Sequence, residues 1–143
     1  MIVGGVGAAL QGAGITTFDL DIVHSRADDN IDRLLTALNF LDAYYRTQPG
    51  KRLRPQASHL SSEGHQLLMT RYGPLDLLGA IGRSHNYDEL LTHSTEMDAG
   101  EDVRVRVLNL DWLIAVKEET AGEKDRAVLP ILRRTLQEKS RKL

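Results

Sequence analysis

Met1-Ile2-Val3-Gly4-Gly5-Val6-Gly7 opens the chain, and Thr17-Phe18-Asp19-Leu20-Asp21-Ile22-Val23 follows a few residues later. The first stretch is a short apolar run ending in a glycine pair. The second alternates, with Phe18, Leu20 and Ile22 on one face of a strand over Thr17–His24 and Asp19 and Asp21 on the other. Side chains two apart share a face, with Cα atoms about 6.5–7 Å apart. Two like charges that close repel, and strands disfavour Asp. Such a local conflict marks a candidate site that needs a cation or solvent beside it. The glycines read as a tight turn before a short helix carrying Val6, Ala9 and Leu10 and ended by Gly12 and Gly14. A glycine turn followed by paired carboxylates suits a nucleoside triphosphate and its metal. The lead into the glycines is only three residues, so the strand there is very short or an N-terminal piece is missing.

The bulk properties set the frame. A chain of 143 residues with 41% apolar and 27% charged residues is the size and composition of one globular domain, residues 1–143. The net charge of −2 carries no signature of nucleic acid or an anionic membrane. Cysteine is absent, which excludes disulfides, thiol catalysis and thiolate metal sites. No apolar stretch is long enough to span a bilayer, and no secretory leader is recognisable. These features predict a cytoplasmic location without membrane contact. The five histidines show no zinc spacing.

Outward from the opening, Ile31, Leu34, Leu35, Leu38, Leu41 and Tyr45 repeat at helical spacing and predict a helix over Ile31–Tyr45, with caps among Asp28, Asp29 and Asn30. Arg46–Ser62 reads as a long basic loop whose Lys51, Arg52 and Arg54 suit a polyanion or solvent. His65–Thr70 and Leu75–Ile81 read as strands around the turn Tyr72-Gly73-Pro74. Asp76 is the one charge in its strand, and a lone acid there needs solvent, a partner or a metal. Tyr87–His93 is a short helix. Thr95–Met97 and Val103–Leu108 are strands around Asp98-Ala99-Gly100. Asn109 caps a helix to about Thr120 with Leu110, Leu113, Ile114 and Lys117 on one stripe. Lys124–Lys139 forms the last helix, kinked or broken at Pro130. The sum is an α+β fold: a mixed sheet of about five or six strands, helices packed on one side, and C-terminal helices. The core spans 1–108 and the helical portion 109–143.

In this order the residues resemble the nucleotidyltransferase superfamily, the fold of polymerase-beta-type and minimal nucleotidyltransferases. The nearest flavour is its abortive-infection toxin-type group. The pattern is a glycine pair at a strand end (Gly4-Gly5), an acid-apolar-acid strand (Asp19-Leu20-Asp21) and a third acid on a later strand (Asp76). A helix reading Leu113-Ile114-Ala115-Val116-Lys117 and then Lys124-Asp125 follow. The chain departs from the pattern at Ile15 and near Gly122, where arginines are expected, and the glycine pair lacks a serine.

The resemblance implies transfer of a nucleoside monophosphate from an NTP to a hydroxyl on a protein, tRNA or small molecule. It makes Asp19, Asp21 and Asp76 the catalytic residues and ligands of two Mg²⁺ ions. Gly4, Gly5, Thr17 and Lys117 would contact the nucleotide. The rival expectations are a catalytically degenerate fold that binds nucleotide or a partner protein, as in a toxin–antitoxin pair, and a structural protein whose acids are incidental. Convergence of Asp76 on the other two carboxylates separates them.

Overall fold

The computed structural model describes residues 1–142. Strand β1 (Ile2–Val3) runs straight into helix α1 (Gly4–Leu10), with Gly4 itself at φ +63° as the first helical residue. Next come β2 (Leu20–Val23), α2 (Asp28–Phe40), β3 (Tyr44–Tyr45), α3 (Ala57–Leu60), β4 (His65–Thr70) and β5 (Gly73–Leu78). The chain continues through α4 (Tyr87–Leu90), β6 (Ser94–Asp98), β7 (Arg104–Leu108), α5 (Leu110–Glu119) and α6 (Glu123–Arg141). The strands form one sheet in the order β3-β4-β5-β2-β1-β7-β6. β2 runs parallel to β5 and β1 parallel to β7, while the other neighbours are antiparallel. The fold is α+β, with a mixed sheet of seven strands rather than five or six.

The extra strand is β3, inside the segment expected to be helix. Helix α2 stops early because Asp42 takes a left-handed conformation, φ 54°. Ala43 N–H then donates to Leu38 O at 3.0 Å and Asp42 N–H to Asn39 O at 3.1 Å. Those two bonds are a Schellman cap, usually built on glycine and here on an aspartate. The chain leaves it extended, and Tyr44 and Tyr45 pair with Met69 and Leu68.

The helices cover both faces of the sheet, not one. Leu20 and Ile22 of β2 pack with Leu68, Leu75 and Leu77 against Ile31 and Leu38 of α2 and Leu60 of α3. Val23 faces the other way, into a second core with Val3, Leu78, Leu113, Leu129 and Leu132. There α1, α5 and α6 form the cover. Leu75, Leu77 and Leu78 are all buried, the two-sided run of a strand covered twice. Each such leucine contributes about 1.5–3 kcal/mol through burial.

Two further expectations are corrected. Phe18 is not core: it is 86% exposed, because β2 starts at Leu20 and the chain bends before it. Helix α6 runs unbroken through Pro130. The proline lies on the exposed side, while buried Leu129 and Leu132 seat the helix on the core on either side of it. Among the described residues no helix is long and apolar enough to cross a membrane.

Candidate functional site

Strand register builds the site. Asp21 on β2 lies opposite Asp76 on β5, opposite Val3 on β1, and Asp76 lies opposite Leu67 on β4. Arg46, one residue past β3, donates its backbone N–H to Leu67 O at 3.1 Å. Arg46, Leu67, Asp76, Asp21 and Val3 therefore form one row across five neighbouring strands. Paired residues share a face, so both carboxylates point to the side covered by α5.

Arg46 is the cation of this row. Its guanidinium donates to Asp76 at 2.5 Å and to Leu68 O at 3.0 Å. It lies 3.6 Å from Asp19. Asp19 sits in the bend before β2 and so reaches the same centre from the side. Asp19 and Asp76 thus meet at Arg46, and Asp21 lies beside Asp76, but among the described residues the three carboxylates do not surround a common point. Asp76 is buried, and its side chain retains 13% exposure.

The price of this crowding falls on Asp21. Burial pushes its carboxyl up to about 6, and the neighbouring Asp76 and Asp19 charges add to the rise. Lys117 acts in the opposite direction. Lys117, in the last turn of α5, pairs with Asp125 of α6 at 3.4 Å. Counting ionised groups, Asp19, Asp21, Asp76 and Asp125 carry four negative charges against the two positive charges of Arg46 and Lys117. The excess is two, the charge of one divalent cation.

The glycine pair closes against the acids. A Cβ on Gly4 would overlap the Asp21 carboxylate, and one on Gly5 would come 2.8 Å from the Thr17 side chain. Thr17 in turn donates its hydroxyl to Asp19 O at 3.3 Å. A cavity of about 210 Å³ opens beside Gly4 and Asp21, with Lys117, Asp125, Leu113 and Val116 in its wall. Clefts of about 410 and 500 Å³ beside His24 are larger. The concentration of carboxylates, not volume, selects the smaller one as the candidate site.

The residues suit Mg²⁺ in one specific way. No group of three or more His, Asp or Glu side chains among the described residues is placed to hold a metal ion unaided. Asp21 and Asp76 nevertheless offer hard carboxylate oxygens at paired positions of neighbouring strands. Mg²⁺ is commonly held by one or two carboxylates together with substrate phosphates rather than by an all-protein cage.

Sequence reasoning missed Arg46. It occurs at the head of the basic segment, but only the β3–β4 pairing brings it over Leu67 to Asp76. The other basic residues there do not reach the acids: Arg52 stacks on Tyr44 at 4.6 Å and Arg54 pairs with Asp42. Ile15, where an arginine is expected, packs against the core. No protein-family model matches the chain, and no curated protein matches it in sequence.

Proposed function

We propose that the chain is a metal-dependent nucleotidyltransferase, moving a nucleoside monophosphate from an NTP to a hydroxyl acceptor. The observation that supports this reading is the Asp21–Asp76 pair, with Asp19 joined to Asp76 through Arg46, at the edge of a cavity that Gly4, Asp21 and Lys117 line. Asp19, Asp21 and Asp76 would hold Mg²⁺, as two ions brought in with the nucleotide. When bound, Mg²⁺ neutralises phosphate charge and polarises the phosphoryl oxygens.

The chain's own residues do the rest. Gly4, lacking a side chain, lets backbone approach the phosphates next to Asp21. Gly5 leaves Thr17 room to do the same from the bend. Lys117 places positive charge at the cavity wall, where developing negative charge on the phosphates is stabilised. Asp76 would help to activate the acceptor's hydroxyl once Arg46 releases it. This chemistry belongs in the cytoplasm, where NTPs and Mg²⁺ are abundant and a cysteine-free chain is at home.

Incubation with α-phosphate-labelled NTPs, Mg²⁺ and cell extract tests the reading. A labelled protein, RNA or small molecule is expected with wild type and not with Asp76→Asn. Equal labelling by both rejects it. A second reading, a catalytically degenerate nucleotide- or partner-binding module, is favoured by one observation: Arg46 already neutralises Asp76 and Asp19. It predicts nucleotide binding with no labelled product.

A further inference from the structure

We propose that Arg46 is a displaceable internal counter-ion, holding Asp76 and Asp19 until a divalent cation takes Asp76 from it. The inference rests on the nucleotidyltransferase reading for its metal and on this chain's geometry for the rest. Asp76 is buried, and a buried carboxylate needs a positive partner or a proton. Arg46 supplies the charge at 2.5 Å and spans to Asp19 at 3.6 Å. Its backbone is fixed by the bond to Leu67 O, so displacement is a side-chain movement and leaves the sheet intact. The side chain is 25% exposed, which gives the guanidinium a path to solvent.

Two positive charges cannot share Asp76 at full strength. The guanidinium occupies one oxygen of Asp76, the carboxylate that would share a metal with its strand neighbour Asp21. A divalent ion must therefore pay to unseat Arg46, and that cost lowers its apparent affinity by the fraction of molecules with the side chain withdrawn. The same contact explains why no ready-made three-carboxylate cluster exists among the described residues. The acids are drawn to Arg46 rather than to a common vacant point. Arg46 thus keeps the excess negative charge at two rather than three when no metal is present, and a divalent ion must displace it to load.

The test is Mn²⁺ binding, measured by electron paramagnetic resonance, to wild type, Arg46→Lys and Arg46→Met. Without Arg46 to displace, Arg46→Met binds Mn²⁺ roughly ten-fold or more tightly. Arg46→Lys, which keeps a charge but loses the fork geometry, falls between. Unchanged or weaker binding by Arg46→Met, with wild type binding well, overturns the proposal and leaves the metal-site reading standing. Binding by none of the three overturns both.

A readout on wild type covers the case in which Arg46→Met does not fold. In nitrogen-15 spectra the Arg46 guanidinium is expected to show separate, slowly exchanging signals without metal. Those signals should merge as Mg²⁺ is added. Arg46 signals that stay separate while Mg²⁺ saturates the site overturn the proposal.

Discussion

Asp21→Asn is expected to stabilise the fold and to abolish nucleotide transfer. The wild-type carboxyl is pushed up to about 6 from an ordinary 3.8, so the folded state disfavours its charge. Two units correspond to about 3 kcal/mol at most, and partial exposure reduces the gain on substitution to about 1–2 kcal/mol. The sign follows from proton uptake. Between about pH 4 and 6 the folded protein binds more protons at this site than the unfolded chain does, so wild-type stability falls as pH rises through that window. Above it the penalty is complete. Urea unfolding of wild type and Asp21→Asn at pH 4 and pH 7 measures this directly. The variant's advantage should be present at pH 7 and small at pH 4. Removing a carboxylate ligand should also weaken Mg-NTP binding by about 100-fold or more, beyond the usual effect of losing a supporting group. A residue whose removal stabilises the fold but ends activity is retained for function. An equal or lower unfolding midpoint at pH 7 would show that Asp21 is not under the strain described.

Gly4→Ala should damage both fold and site. Gly4 has φ +63°, a conformation that costs an L-residue about 1–2 kcal/mol. The added methyl would also overlap the Asp21 carboxylate, and relief of such overpacking costs about 1–3 kcal/mol more. A loss of about 2–5 kcal/mol in unfolding free energy is therefore expected. Asp21 would be pushed out of line with Asp76, and Mg-NTP affinity would fall with it. Stability within 1 kcal/mol of wild type would remove the close approach from the account.

The front of the chain was legible because its signals are local. Gly4, Asp19 and Asp21 lie within one short segment, and alternation places Asp21 on the face of β2 toward α5, whereas Asp19 lies in the bend before the strand. Asp76 was legible as the lone charge in an apolar strand. Arg46 was not, because its role depends on β3, and β3 was hidden by a helix cap built on Asp42 instead of glycine. The alternation also overreached: it carried Phe18 and Asp19 into a strand that begins only at Leu20. Coverage of both sheet faces was written in Leu75, Leu77 and Leu78. A short apolar run does not by itself distinguish one buried face from two, so that feature waited for α2 on one face of the sheet and α5 and α6 on the other.

Calorimetric titration of Mg-ATP, Mg-GTP and Mg-CTP tests the central claim, that Asp19, Asp21 and Asp76 form a metal-dependent nucleotide site. Wild type is expected to bind at least one of them, to lose that binding in EDTA and to lose most of it in Asp19→Ala. Binding of none, or binding that survives both EDTA and Asp19→Ala unchanged, would contradict it.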